Sequence, residues 1–256
     1  MIRIVPPLAC LALSTLPLAA EPSPGLVGVR LLPGWTLPDG SRISAIEFQL
    51  QPGWKTYWRS PGDSGLPPVF DWSGAGNLAS VAFHWPAPQA IPSDDGMALG
   101  YHDRLVLPFT AKPADPDQPV DLAVGVDFGL CKNICVPAHA ALRADAPGTM
   151  PDPAILAAMD QVPRPAADRP RCDVQPIDDG MRVTATLPRP VTLAAMELAG
   201  SEVWVSSTEV QSGPGKTILI ADFIPAQAAP FYLPKDRLVF TVLDDRGATE
   251  MRGCSD

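Results

Sequence analysis

The stretch Val120–Arg143, "VDLAVGVDFGLCKNICVPAHAALR", decides how the chain is read. Apolar residues alternate at Val120, Leu122, Val124, Val126 and Phe128, stop, and resume at Val136, Ala138, Ala140 and Leu142. A period of two belongs to a strand with one buried face, so the pattern predicts two strands of one sheet with Cys131 and Cys135 in the turn between them. Four residues of extended chain span about 13 Å, whereas bridged cysteines need Cα atoms within about 7 Å. "CKNIC" must therefore fold back as a turn or a single helical turn, which Pro137 ends by disfavouring helical geometry at Val136.

The same alternation recurs on either side. Proline supplies 32 of 256 residues, no long helical pattern is present, and short alternating runs lie between Pro/Gly turns, the profile of a β-sandwich. Strands are predicted at Val27–Leu32, Arg42–Leu50, Lys55–Arg59, Val69–Trp72, Ser80–Trp85, Arg104–Thr110, Val120–Phe128 and Val136–Arg143. Residues 149–170 then break the pattern as a Pro-rich linker with one short helix at Pro153–Gln161, Asp152 its N-cap and Pro153 at N1. From Arg171 alternation returns in "MRVTATL", "EVWVS", "KTILIADF", "RLVFTVL" and "TEMRGC". The expected fold class is all-β, two sandwiches in tandem over residues 21–148 and 171–256, each with enough Val, Ile, Leu, Phe and Trp for a core.

Residues 1–20, "MIRIVPPLACLALSTLPLAA", carry a basic start at Arg3, an apolar stretch and small residues at Ala19 and Ala20, the pattern of a secretory signal peptide. Cys10 lies inside it, and Pro7-Leu8-Ala9 make a poor lipobox. No other apolar run reaches the length of a membrane span, so no transmembrane segment is expected in the mature chain. Losing Arg3 leaves the chain one unit more negative than its formal −9, and with no basic cluster nucleic acid is not an expected partner. Export places Cys131, Cys135, Cys172 and Cys254 in a compartment where disulfides form, with three possible pairings.

Loop entropy separates the pairs. Closing about 80 residues between Cys172 and Cys254 stabilises by roughly 4.5 kcal/mol, whereas closing about 5 residues gives roughly 2. Cys172–Cys254 is therefore expected to be a structural disulfide across the ends of the second sandwich. Cys131–Cys135 is a poor staple in an exposed turn, the kind of bond that exchanges readily, and Lys132 beside it favours thiolate, weakly. Cys131, Cys135 and His139 could instead offer soft metal ligands. On an extended strand, however, His139 lies about 13 Å from Cys135, too far to share an ion, so no metal site is assigned. His84 and His102 are assigned to packing or the surface. No nucleophile elbow or metal-binding helix motif frames a hydrolase.

Upstream, Pro52–Trp72 concentrates aromatics, with Trp54, Thr56 and Trp58 on one face and Lys55, Tyr57 and Arg59 on the other; taken alone this is core packing with a Gly/Pro turn. Taken in order, "GWKTYWRSPGDSGLPPVFDW", "FHWPAPQ", "LGYHDRLVLPF" and "CKNICVP" resemble the periplasmic amino-terminal region of the DsbD family of thiol:disulfide interchange proteins, most of all its suppressor-of-copper-sensitivity (ScsB-like) branch. The likeness runs from Trp35 to Leu142; the second sandwich shares only its β character.

The resemblance implies an immunoglobulin-like domain that takes electrons from a membrane-embedded thiol reductase and passes them to periplasmic thioredoxin-fold proteins. It makes Cys131 and Cys135 the redox pair, Cys135 forming the mixed disulfide and Cys131 resolving it. It also implies a shielding loop, placed by position at Pro92–Asp103. The best-known branch has a longer gap between its cysteines. Members continue into membrane and thioredoxin domains, so for a chain ending at Asp256 the expected electron source is another polypeptide. The leading expectation is a periplasmic dithiol carrier, a protein-disulfide reductase component with no organic cofactor. The alternative is a non-catalytic binding module or copper-handling protein using the pair as bridge or ligand.

Overall fold

The computed structural model describes residues 23–63, 65–93, 96–245 and 247–255; the signal segment expected over residues 1–20 lies outside them. Alternation in the first part folds into β1 (Leu26–Thr36), β2 (Arg42–Leu50), β3 (Lys55–Tyr57), β4 (Val69–Asp71), β5 (Leu78–Phe83), β6 (Gln89–Ser93), β7 (Gly96–His102), β8 (Arg104–Pro113), β9 (Ala123–Cys131) and β10 (Cys135–Arg143). They form two antiparallel sheets, ordered β1-β2-β8-β5 and β10-β9-β3-β7-β6, with β4 also on β9. Ile46, Phe48, Leu107 and Phe109 of the first meet Trp58, Val126, Phe128 and Leu130 of the second in one core.

β2 is buried on both faces for a reason visible in its register. Ile46, Phe48 and Leu50 enter the core between the sheets, while Ile43 and Ala45 on the opposite face are covered by Ile155 of helix α1 (Pro153–Met159). Asp152 caps α1 as its sequence predicts, its carboxylate accepting from the Ala154 and Ile155 amides at 2.7 and 3.3 Å, with Pro153 opening the helix.

Beyond α1 run β11 (Arg164–Pro165), β12 (Arg171–Ile177), β13 (Gly180–Leu187), β14 (Leu193–Leu198), β15 (Trp204–Val205), β16 (Glu209–Gly213), β17 (Lys216–Ile224), β18 (Leu238–Asp244) and β19 (Gly247–Arg252). Two more sheets result, β11-β19-β18-β14 and β12-β13-β17-β15 with β16 on β17. Met196, Phe240 and Met251 of the former pack on Val183, Leu219 and Phe223 of the latter in a second core. The class is all-β, as expected. The Pro-rich connection does not hang free: α1 lies on the first pair of sheets, and β11 pairs in parallel with β19 of the second.

The segment expected as a shielding loop, Pro92–Asp103, differs from its reading. Its described residues belong to a hairpin, β6 with β7, that extends the sheet of β3 and β9; Asp94 and Asp95 lie outside the described residues. The loop rests on position in the resemblance alone, whereas burial of Ile91, Ala98, Leu99 and Tyr101 draws the segment into strands.

Candidate functional site

Cys131 closes β9 and Cys135 opens β10, and the two are direct cross-strand partners. Their Cα atoms are 4.1 Å apart and their sulfurs are bonded. Lys132, Asn133 and Ile134 make the hairpin tip, closed by the Lys132 amide donating to the Ile134 carbonyl at 3.2 Å. All three are exposed, Ile134 to 69%. The two sulfur-bearing residues are not equivalent. Cys131 is 6% exposed and packs with Tyr57 and Ala98, whereas Cys135 is an exposed residue of the edge strand.

The short strand β3 supplies the inner wall. Lys55 pairs with Cys131 and Thr56 with Leu130, and the Thr56 hydroxyl donates to the Gly129 carbonyl at 3.0 Å. Thr56 and Trp58 point inward with the core, which leaves Lys55, Tyr57 and Arg59 on the opposite face. Each side chain of that row has a distinct partner. Lys55 Nζ donates to the Pro92 carbonyl of the β6–β7 hairpin at 3.3 Å. Tyr57 Oη lies 3.1 Å from Cys135 Sγ. Arg59 reaches Glu197 and Glu250 of the second pair of sheets.

A disulfide sulfur carries no hydrogen, so the Tyr57 hydroxyl is the donor to Cys135 Sγ. Burial pushes the Tyr57 phenol above its ordinary value, keeping it protonated as a donor through neutral pH. Gly129 makes the arrangement possible: a Cβ there would stand 3.0 Å from Leu66 Cβ and from the Tyr57 ring. Without a side chain at 129, the ring and Leu66 lie directly over β9.

His139 does not join the cysteines. Its Nδ1 pairs with Asp127 at 2.8 Å, farther along the hairpin. Among the described residues no three of His, Cys, Asp and Glu converge as metal ligands would. Cys172 and Cys254 are bonded to each other, Cα atoms 5.7 Å apart, joining β12 to the end of the described chain. The residue that sequence reasoning missed is Tyr57. The available signal was the alternation that set it with two cations on one face, opposite the tryptophans.

The family described as "Thiol:disulfide interchange protein DsbD, N-terminal" matches residues 29–147, a segment holding the hairpin, β3 and Gly129. Over this segment the chain is similar to the DsbD amino-terminal family. Its likeness in fold extends further. The crystal structure of the N-terminal periplasmic domain of ScsB from Proteus mirabilis superposes with a TM-score of 0.66 at 24% identity, covering 88% of this chain and 91% of that one. No curated protein matches the chain. Among the described residues no helix is long and apolar enough to cross a membrane. In the DsbD-type segment, the Cys131–Cys135 hairpin and the β3 row against it form the candidate site.

Proposed function

We propose that the chain is a periplasmic thiol:disulfide interchange protein, a dithiol carrier passing electrons from a membrane-embedded reductase to thioredoxin-fold or other exported proteins. The observation that carries this reading is the asymmetry of the bonded pair: Cys135 exposed at the edge, Cys131 buried behind it. In the loading step a donor thiolate attacks Cys135 Sγ. The Cys131–Cys135 bond breaks, and its electron pair leaves on Cys131 as thiolate. The donor's second thiolate then attacks the donor sulfur of the mixed disulfide, releasing Cys135 as thiolate and leaving the donor oxidised. Delivery reverses the sequence: Cys135 attacks the client's disulfide, the client keeps one thiolate, and Cys131 attacks Cys135 to release the second. Two electrons pass in each half, and the protein returns to its starting state.

The reading extends to architecture and place. Each pair of sheets is taken as an immunoglobulin-like sandwich, over residues 21–148 and 171–256, connected by 149–170. Residues 1–20 are taken as the signal that exports the chain to an oxidising compartment. The match of residues 29–147 to the DsbD amino-terminal family supports the exchange chemistry. The test is exchange with an oxidised thioredoxin-fold protein: the reduced chain should transfer two electrons, and Cys131→Ser should stop at a 1:1 mixed disulfide through Cys135. If no mixed disulfide forms while a free dithiol reduces the same acceptor, the carrier reading fails.

A further inference from the structure

The second pair of sheets presents to the first a face that its own core does not need. In β14 the residues Ala194, Met196 and Leu198 enter the second core, while Leu193 and Ala195 on the opposite face pack with the core of the first pair. Glu197 continues that outward row. Its carboxylate accepts from Arg59 Nε and Nη2, each at 2.9 Å, and Glu250 of β19 accepts from Nη2 at 3.0 Å. Arg252 donates to the other oxygen of Glu250 at 3.0 Å, so two guanidiniums balance two carboxylates. Arg59 also lies over the Trp58 ring at 4.5 Å. Burial opposes the charge on Arg59, and the two carboxylates outweigh it, holding the group above its ordinary value.

A second fastening lies beside it. The Asp63 amide donates to Ser207 Oγ at 3.1 Å, and the Ser207 amide returns a bond to Asp63 Oδ1 at 3.0 Å. The loop so held accepts at Pro61 from the Leu99 amide of β7, at 3.0 Å. Both fastened elements are walls of the site: two residues before Arg59 stands Tyr57, on Cys135 Sγ, and one residue before Leu99 stands Ala98, on Cys131.

We propose that Arg59 is a positioning residue for thiol–disulfide exchange, through which the second pair of sheets holds Tyr57 against Cys135, while the Asp63–Ser207 fastening beside it holds Ala98 over Cys131. The second pair of sheets is thereby a buttress for the redox site. The proposal rests on the dithiol reading of the hairpin, but its readouts are properties of the reduced protein alone, taken without a partner. The test is Glu197→Gln with Glu250→Gln, both far in sequence from the hairpin. The reduced variant is followed by the pH dependence of Cys135 alkylation and by the alkylation rate of Cys131. Loosening Tyr57 is expected to move the Cys135 profile to higher pH by about half a unit, about threefold less thiolate below the midpoint, and to speed Cys131 alkylation by at least about threefold. Because losing one side of a part-buried ion pair can compromise folding, Asp63→Ala supplies a milder release of the second fastening, the Ser207 amide bond to Asp63 Oδ1, with the same signs expected. Lowered stability with both profiles unchanged would overturn the proposal. Unaltered positioning readouts and absent exchange with partners are separate failures, so the two readings fall independently.

Discussion

The Tyr57 hydroxyl donates to Cys135 Sγ across 3.1 Å, joining β3 to the exposed end of the disulfide hairpin. In the oxidised state that sulfur is a weak acceptor; in the reduced state a thiolate at the same place accepts a charge-assisted bond, roughly twice as strong. The contact therefore favours the reduced, ionised form. Tyr57→Phe is expected to leave the oxidised protein's stability within about 1 kcal/mol. It should raise the midpoint of Cys135 ionisation by about one unit, equivalent to about 1.4 kcal/mol. Alkylation of the reduced protein across pH measures this; coincident wild-type and variant curves would show that the hydroxyl does not act on the thiolate.

Gly129 is the second handle on the same geometry. A methyl group there meets Leu66 Cβ and the Tyr57 ring at 3.0 Å, closer than a core tolerates without displacement. Gly129→Ala is expected to destabilise by about 1–3 kcal/mol in denaturant. It should also reproduce the Tyr57→Phe shift, because the ring that must move is the one bearing the hydroxyl. Destabilisation with a wild-type ionisation curve would separate packing from chemistry at this site.

The hairpin was legible because its evidence is local: alternation on both sides of "CKNIC" fixes two strands, and Pro137 keeps Val136 out of a helix. The Asp152 cap was legible for the same reason, since side chain and amides lie within three residues. Tyr57 was not, because its role depends on β3 pairing with β9 at Cys131, some 75 positions away in the chain, which no local pattern encodes. β14 was missed for another cause. "LAAMEL" is built of good helix formers, and it is drawn into a sheet by burial on both faces. With β14 unread, Glu197 could not be set against Arg59.

Glu47 gives the fold a defined response to acid. Its side chain is 1% exposed in β2 and is flanked by the half-exposed Arg30 and Arg104. Burial works against its charge, but hydrogen bonds from Arg30, Arg104 and Gln49 prevail and hold the carboxyl below its ordinary value. A group depressed in the folded state contributes stability that is complete above its unfolded value, near 4.5, and is lost as pH falls through the folded value. Glu47→Gln should therefore cost about 1–2 kcal/mol at pH 7, modest because the two arginines remain hydrated. The gap should narrow as pH falls below 4.5, measured as denaturant midpoints across pH. A gap that stays constant to pH 3 would show that the carboxylate's charge is not what holds this strand.

The two disulfides should part under reduction, and their sequence separations say in which order. Cys172–Cys254 spans 82 positions and Cys131–Cys135 spans 4, so loop closure favours the former by about 2.5 kcal/mol over the latter. For a two-electron couple 30 mV corresponds to about 1.4 kcal/mol, which places the hairpin pair roughly 50 mV above the long bridge before solvent access is counted. Access acts in the same direction, because Cys135 is exposed whereas Cys172 and Cys254 are only partly so. In graded glutathione buffers, mass after alkylation should show two thiols appearing first at Cys131 and Cys135, with Cys172 and Cys254 still bonded. Cys172→Ser with Cys254→Ser should lower stability by up to about 4.5 kcal/mol while leaving the hairpin titration in place. Release of all four thiols in one step would mean that the second core opens before the hairpin exchanges, and the division of labour between the two bonds would then be lost.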